Sequence, residues 1–207
     1  MALECPFCDL ETIRRDDELV RDYGPFYLKV GKGVFTPGHV LLIPKGHTFC
    51  FGEVPESLDD RLVAIKRELV EEIEDRFSHP VVYEHGVYGQ TVLHGHLQIL
   101  PTDFGNNTLV PPLHPHVSKE FPSFSDINNP AELRGIYESL GGYLGLEEIG
   151  HWYVYEVHSH PNRPAYFRNL IAKLTKSGPR GGWKDMTPEE KERDLHMVLK
   201  TKELLRR

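Results

Sequence analysis

The sequence lacks the features that would place the protein in a membrane or on a secretory route. None of its apolar runs approaches the roughly 18 residues that a membrane-spanning helix needs. The opening segment, MALECPFCDL, lacks the basic stretch followed by an apolar core that marks a secretory signal. We therefore expect a cytoplasmic protein without a membrane partner.

Positive charge is scarce as well, and the formal net charge is -7. Proteins that coat nucleic acids rely on basic residues to displace counterions. The sequence therefore predicts no bulk binding of nucleic acid, but it leaves open a single nucleotide in a local pocket. The 39% hydrophobic and 27% charged residues are typical of a globular chain, and 207 residues suffice for one domain with an extension.

Cysteine is rare, with three residues in the chain, which is an odd count. Two of them form the pair Cys5-Pro-Phe-Cys8. In a cytosolic chain this spacing indicates metal or redox chemistry more than a structural disulfide. The alternative is a pair of reduced thiols without a metal. Cys50 is expected to be a buried thiol and not a ligand.

Hydrophobic periodicity predicts an α+β fold. The stretch PESLDDRLVAIKRELVEEIEDRF has apolar residues at helical spacing and is the clearest helix. Strands are predicted at 26–30, 39–43, 81–85, 93–100 and 151–157. Further helices are predicted after Asn129-Pro130, over 165–176, and from Thr187, where Thr-Pro-Glu-Glu fits a capping box. This order predicts a compact unit over residues 1–110 and an extension over 111–207 packed on it.

Three His-x-His pairs are candidates for chemistry: His94 and His96, His114 and His116, and His158 and His160. The second pair lies among three prolines, which favours a solvated loop. The third pair ends a strand, and a surface or interface role is expected for it. In the first pair, alternation along a strand would place His94, His96 and Gln98 on one face. Leu93, Leu97 and Ile99 would then anchor the other face, and Gly95 would allow another backbone to approach closely.

The residues around the first pair, YGQTVLHGHLQILP, resemble the signature of the histidine triad (HIT) superfamily: Gly-Gln-Ser/Thr-Val, one residue, then His-x-His-x-His or Gln. The upstream TPGHVLLIPKGH is similar to the superfamily's Pro-Gly-His-Val-Leu-Ile-Pro-Lys-x-His segment. The resemblance covers roughly residues 4–101. It implies a HIT-like antiparallel sheet with a long helix, to which the C-terminal strands and helices are added.

The resemblance also implies roles for single residues. The middle histidine, His96, would be a nucleophile that attacks the α-phosphate of a nucleotide or nucleotide sugar and forms a nucleotidyl-histidine. Gln90 and Thr91 match positions that contact phosphate, although Thr91 could be an ordinary strand threonine. Gln98 resembles the branch of galactose-1-phosphate uridylyltransferases and diadenosine tetraphosphate phosphorylases. Glutamine can donate to phosphate but cannot transfer a proton as histidine does. This favours a leaving group that departs without protonation.

Zinc-containing relatives imply a use for the cysteine pair. There, the histidine that ends the Pro-Lys-x-His segment and the first histidine of the triad complete a four-ligand zinc site. The corresponding residues here are Cys5, Cys8, His47 and His94. Four N and S ligands in a tetrahedron would make the zinc structural, with no open position for water.

Further features of the sequence leave alternatives open. The stretch VGKGVF lacks the Asp or Asn that faces the ribose in the family, so the base is not predicted. His39 is expected to pack and to form hydrogen bonds.

The C-terminal region loosely resembles CwfJ-type proteins, which suggests an alternative: a nucleotide- or RNA-binding module of a processing complex. A dinucleoside polyphosphate hydrolase is a second alternative. A homodimer is also expected, and Trp183, with Arg180 and Lys184, could cover a base and a phosphate.

Overall fold

The protein is represented by a computed structural model that describes residues 5–105, 107–158, 160–177 and 186–206. The helices are α1 Leu10–Arg15, α2 Asp59–Arg76, α3 His114–Glu120, α4 Leu133–Leu140, α5 Tyr166–Thr175 and α6 Pro188–Leu205. The strands are β1 Leu19–Asp22, β2 Phe26–Val30, β3 Val40–Pro44, β4 Pro80–Glu84, β5 Leu97–Pro101, β6 Phe124–Ile127, β7 Tyr143–Glu148 and β8 His151–Glu156. Within these described ranges, no helix is long and apolar enough to cross a membrane.

The strands form one eight-stranded sheet in the order β1-β2-β3-β5-β4-β7-β8-β6. All neighbouring strands are antiparallel, so the predicted α+β class and the antiparallel sheet with a long helix are confirmed. Residues beyond 110 supply β6, β7 and β8. The extension therefore continues the sheet from β4, where β7 occupies the edge that β4 would otherwise expose.

The long helix α2 packs on one face of the sheet. Its buried residues recur at helical spacing: Leu62, Ile65, Leu69 and Ile73. They share a core with apolar residues of the central strands, among them Leu42, Val82, Leu97 and Ile99. At the other end of the chain, α6 begins with the predicted capping box between Thr187 and Glu190. Val198 and Leu205 of α6 pack into the same core as α2.

The opposite face carries two separate apolar clusters. At one end, Phe7 and Leu10 pack with Tyr27, Leu41 and Ile43. At the other end, α3 and α5 cover Tyr83, Leu144 and Tyr155. Polar residues of β5 and its neighbours lie between the two clusters. A buried functional site is therefore expected on this face of the sheet.

The predicted strand over 93–100 is shorter than expected and begins at Leu97. The placement of Leu93 in the core was wrong, because its side chain is 52% exposed. The backbone before Leu97 turns instead: the His94 N–H donates to Val92 O, and the Gly95 N–H donates to Thr48 O. A Cβ on Gly95 would lie 2.9 Å from the backbone of Cys50, which confirms the expected close approach.

The predicted loop around the second histidine pair is also wrong in part, because α3 begins at His114. Its first N–H groups are satisfied by Glu148, whose carboxylate accepts from the backbone of Leu113 and of His114. The side chain of His114 stacks on Tyr153 with a centroid distance of 3.8 Å. His158 is exposed and His160 packs against Phe121. The suggested loop with Arg180, Trp183 and Lys184 lies outside the described residues.

Candidate functional site

Four side chains with N and S donor atoms meet beside the first histidine pair. The donor atoms of Cys5, Cys8, His47 and His94 all lie within 4.8 Å of one another. The Sγ–Nδ1 distances are 3.3 Å for Cys5–His94, 3.3 Å for Cys8–His47 and 3.5 Å for Cys8–His94. A tetrahedral zinc with typical bond lengths separates an S and an N ligand by about 3.5 Å. The donor set and its spacing therefore fit zinc.

The surroundings of this cluster prepare His94 to act as a ligand. Its Nε2–H donates to Pro44 O at 2.9 Å, which leaves the Nδ1 lone pair directed at the two sulfurs. A second hydrogen bond of this kind usually fixes the tautomer of a ligating histidine. The N-terminal segment is held by Phe7, whose carbonyl accepts from Tyr27 Oη at 2.7 Å and whose ring contacts His94 edge-on. The cluster thus joins the N-terminus to the start of β5.

His96 is 7% exposed and directly precedes β5. Its Nδ1 lies 2.7 Å from His94 O, so Nδ1 carries the proton and Nε2 keeps its lone pair. Burial is the main cause that lowers the pKa of His96 to about 4. Nε2 makes no hydrogen bond with the residues that the structure describes. His96 is therefore a neutral imidazole with an available lone pair at physiological pH.

Gln98 is held by two donors through its side-chain oxygen. Tyr83 Oη donates to Oε1 at 2.8 Å, and His39 Nε2 lies 3.2 Å from the same atom. The proton of His39 must be on Nε2, because its Nδ1 accepts from the Phe35 N–H. Two donors on Oε1 fix the orientation of the amide. The NH₂ group of Gln98 is consequently turned away from them and is available as a donor.

The two residues predicted to contact phosphate lie in different surroundings. Thr91 is exposed. Gln90 is buried, and its Nε2 donates to Phe49 O at 2.6 Å, while its Oε1 is buried without a partner. As placed, Gln90 joins the loop before His94 to the loop after β3. One N–H of its amide is thus occupied by Phe49 O, and the second remains as a donor.

Two cations flank the row of polar side chains formed by His94, His96 and Gln98, and the sequence analysis missed both. Lys29 on β2 is buried, with its Nζ 2.7 Å from Glu18 Oε2 and 5.3 Å from the centroid of Phe7. Arg168 on α5 lies over the ring of Phe35 at 5.1 Å and donates to Gly33 O. The positive charges of both help to lower the pKa of His96. Nothing in the local sequence of Arg168 links it to a histidine more than 70 residues away.

His85 is another residue that the sequence analysis did not select. It follows β4, is buried, and faces the same side of the sheet as Tyr83, with a ring-centroid distance of 5.9 Å. The ring of Phe167 on α5 lies 5.6 Å from that of His85. Alternation along β4 could have placed His85 and Tyr83 on one face. Its position relative to His96 depends on the pairing of β4 with β5, which a single sequence does not specify.

The loop that lacks the family's Asp or Asn is anchored by the C-terminal helix. The carboxylate of Asp194 on α6 accepts from Gly33 N at 3.0 Å and from Val34 N at 2.7 Å. The loop before the first histidine pair is anchored similarly: Gly89 N donates to Asn162 Oδ1 and Ala165 N donates to Gly89 O. Both loops that border the row are therefore positioned by the extension.

Comparison with known proteins found a family model that matches part of the chain. Residues 25–105 match the family model described as the HIT domain. A crystal structure of a hypothetical histidine triad nucleotide-binding protein from Sulfolobus tokodaii is 17% identical, covers 98% of this chain and 95% of that chain, and has a TM-score of 0.44. No curated protein matches the chain.

Two further solved structures are similar over part of the chain. A Zn-bound histidine triad family protein from Mycobacterium smegmatis is 22% identical, covering 50% of this chain and 78% of that chain, with a TM-score of 0.40. A HIT family protein from Bacillus subtilis is 22% identical, covering 67% of this chain and 96% of that chain, with a TM-score of 0.43. At these identities and TM-scores, neither bears on the substrate of this chain.

Proposed function

We propose that the protein, whose residues 25–105 match the HIT domain model, is a nucleotide-acting enzyme that works through a nucleotidyl-histidine on His96. The observation that carries the proposal is the state of that imidazole. Its proton is held on Nδ1 by His94 O at 2.7 Å, and burial lowers its pKa to about 4. The Nε2 lone pair is therefore present at neutral pH, where a nucleophile needs it.

The proposed reaction has two displacements. In the first, the Nε2 lone pair of His96 attacks the α-phosphorus, an N–P bond forms, and the P–O bond to the leaving group breaks with its electron pair on that oxygen. In the second, water or an ionised phosphate oxygen of an acceptor attacks the phosphorus, and the N–P bond breaks with its electron pair returning to Nε2 of His96. Attacking water loses its proton to solvent, whereas an ionised phosphate oxygen has none to lose. Water gives hydrolysis and a phosphate acceptor gives transfer. Splitting one displacement into two in this way lowers the barrier of each.

Gln98 is proposed to hold the phosphate during both steps. Because Tyr83 and His39 occupy its Oε1, its NH₂ group can donate to a phosphate oxygen. Gln98 has no titratable proton for the leaving group. The proposed substrates are therefore nucleotides or nucleotide sugars whose leaving group is itself a phosphate. Gln90 and Thr91 are proposed as further contacts to the phosphates.

Zinc is proposed at Cys5, Cys8, His47 and His94, where the donor distances fit a tetrahedral ion. When bound, it would supply a structural link and no reactive water, because four protein ligands fill its coordination. The chain's own contribution is positional: His94 is the residue whose carbonyl fixes the tautomer of His96. Holding His94 in place therefore holds the nucleophile in place.

The test is intact-protein mass spectrometry after exposure to ATP, UDP-glucose and diadenosine tetraphosphate. We expect a mass increase equal to one nucleotide monophosphate unit on the native protein and none on His96→Ala. The fold of His96→Ala should persist, because the side chain lies on the polar row between the two apolar clusters. A native protein that forms no adduct, together with a His96→Ala variant that turns over each nucleotide as well as native protein, would leave the row as a binding surface. The nucleotide- or RNA-binding module would then be the better assignment.

A further inference from the structure

His85 lies opposite His96 across the two central strands. The pairing of β4 with β5 matches Val82 with Ile99 and Tyr83 with Gln98. Continuing this register by two residues places His85 opposite His96. His85 directly follows β4 and His96 directly precedes β5, and the electrostatic effect of His96 on the pKa of His85 places the two rings near each other. Both lie at the ends of the strands that carry Tyr83 and Gln98.

The tautomer of His85 is set by the extension. Its Nε2 accepts from the backbone N–H of Phe167 at 3.3 Å, so the proton of the neutral ring is on Nδ1. Burial is the main cause that lowers the pKa of His85 to about 3, and the charges of His96 and Arg168 add to the effect. The ring is thus a neutral N–H donor with a fixed orientation.

The Nδ1–H of His85 has no acceptor among the residues described by the structure, although the side chain is 3% exposed. Nδ1 is not among the buried side-chain atoms that lack a hydrogen-bond partner, so a water or a ligand can reach it. The Cδ2 atom of His85 lies 3.4 Å from the position that a Cβ on Gly89 would occupy, and Nε2 faces the backbone of Phe167. Nδ1 points away from both, on the side of the ring that remains for the polar row.

We propose that His85 is a phosphate-binding residue of this site, and that its Nδ1–H donates a hydrogen bond to a non-bridging oxygen of the phosphate that His96 attacks. The inference rests on the proposed function, since it concerns the same phosphate. It gives the site a second fixed neutral donor beside Gln98. Fixed donors directed at oxygens that gain charge in a transition state are among the largest contributions to catalysis. His85 would thus stabilise the transition state together with Gln98.

Two substitutions separate this role from a purely structural one. Asparagine carries its amide at about the position of Nδ1, so His85→Asn keeps a donor toward the phosphate but loses the acceptor for Phe167. Glutamine reaches the position of Nε2, so His85→Gln keeps the acceptor for Phe167 but loses the donor. The measurement is the rate constant of adduct formation on His96 at saturating nucleotide, using whichever of ATP, UDP-glucose and diadenosine tetraphosphate labels the native protein. Thermal unfolding of both variants checks that they are folded.

We expect His85→Asn to label at least tenfold faster than His85→Gln, and His85→Gln to lose a factor of about 10² relative to native protein, as for removal of one oxyanion donor. The apparent nucleotide affinity should change less than the rate constant. A ratio near one, whether both variants are active or both inactive, overturns the inference, and so does faster labelling of His85→Gln. In each of these cases labelling of native protein leaves the proposed function intact. Absence of labelling in native protein instead refutes the proposed function, and the role of His85 falls with it.

Discussion

Tyr83 shows how one hydroxyl group can decide the use of a neighbouring amide. With His39 it holds Oε1 of Gln98, and this leaves the NH₂ group as a donor for the proposed phosphate. Replacing Tyr83 with phenylalanine removes one of the two donors and lets the amide rotate. We expect kcat/KM to fall roughly fivefold, since one hydrogen bond contributes about 1 kcal/mol. Steady-state kinetics would measure it.

The matched control is Tyr166→Phe, which removes a hydroxyl bonded to Glu120 and distant in sequence from the row. Its kcat/KM should remain at the native value. If both variants lose activity equally, the effect of Tyr83→Phe lies in general packing and not in the orientation of Gln98.

Glu84 gives the fold a pH dependence of its own. Its carboxylate is fully buried and accepts from Phe51 N at 2.7 Å and from Tyr143 Oη at 2.6 Å, but burial raises its pKa to about 7. The pKa of an unfolded glutamate is about 4.3, so the folded state retains its proton between roughly pH 4.3 and 7. The contribution of Glu84 to stability is complete below this window and is lost as the pH rises through it. The unfolding free energy should fall by about 3 kcal/mol across this window.

Glu84→Gln should therefore flatten the pH dependence of unfolding free energy between roughly pH 4.5 and 7. Urea unfolding at half-unit pH steps would measure the slope. Glu138→Gln, at an exposed position on α4, should keep the native slope. A native slope in Glu84→Gln would mean that this carboxyl does not titrate in the window.

Among single residues, the sequence identified those that belong to a motif and missed those whose position depends on packing. The spacing of Cys5 and Cys8, with the resemblance, selected the four side chains that the structure brings together. His85 and Tyr83 reach the row through the register of β4, and Arg168 reaches it through the packing of α5. Those positions follow from long-range pairing, which local propensity and spacing do not specify.

Among the elements, the N-terminal segment with Cys5 and Cys8 is the one that the proposed zinc would stabilise most. Besides the four donor atoms, its contacts with the sheet include the hydrogen bond from Tyr27 to Phe7 and the packing of α1. Cys8→Ser should lose zinc and lower the midpoint of thermal unfolding, because metal binding at such a site contributes folding free energy. Metal analysis of protein purified without added metal should give close to one zinc per chain in the native form.

Cys50→Ala is the control, because Cys50 is buried in the core beside Phe51 and lies outside the four-donor cluster. It should retain zinc. A Cys5–Cys8 disulfide without metal in freshly purified native protein would contradict the proposed zinc site.

The turn between His94 and His96 is a second element whose geometry can be tested. A Cβ on Gly95 would lie 2.9 Å from two backbone atoms of Cys50. At this distance one of the two backbone segments would have to shift. Gly95→Ala should therefore lower stability by about 1–3 kcal/mol through overpacking, and should slow labelling of His96 by shifting its ring. Urea unfolding and mass spectrometry would measure the two effects.

Gly135 provides the comparison, because a Cβ there meets nothing within 4 Å and the residue lies inside α4. Gly135→Ala should be neutral or slightly stabilising, as expected for alanine in a helix. Loss of stability in both variants would point away from the contact with Cys50. The sequence predicted this close approach correctly, but it placed the glycine within a strand, because two histidines at alternate positions look the same before a strand and inside one.

For the whole molecule, the central consequence is that the extension completes the sheet. Strand β7 pairs with Val82, Tyr83 and Glu84 of β4. A fragment of residues 1–110 would expose that edge and the apolar face that α5 covers. We expect this fragment to self-associate or aggregate, since unpaired edges template further pairing. Light scattering after size-exclusion chromatography would measure its mass beside that of the full chain.

A soluble, monomeric fragment that labels on His96 would contradict this expectation and would show that the extension is dispensable. In the full chain, the edge of β4 is occupied by β7, so the homodimer expected from the sequence would need another surface. The sequence did predict the strand at 151–157 and the last helix. It did not predict β7, which follows Gly141 and Gly142, contains Gly145, and lacks a strong strand pattern.

The hydrogen bond from Phe167 to His85 joins residues 82 positions apart, and the bonds from Gly33 and Val34 to Asp194 join residues 161 and 160 positions apart. During synthesis, the strands that carry His85 and His96 leave the ribosome long before these partners do. Folds dominated by such distant contacts form slowly. We therefore expect a nascent chain of about half length to carry His85 without its final tautomer, which is set only when α5 has been made.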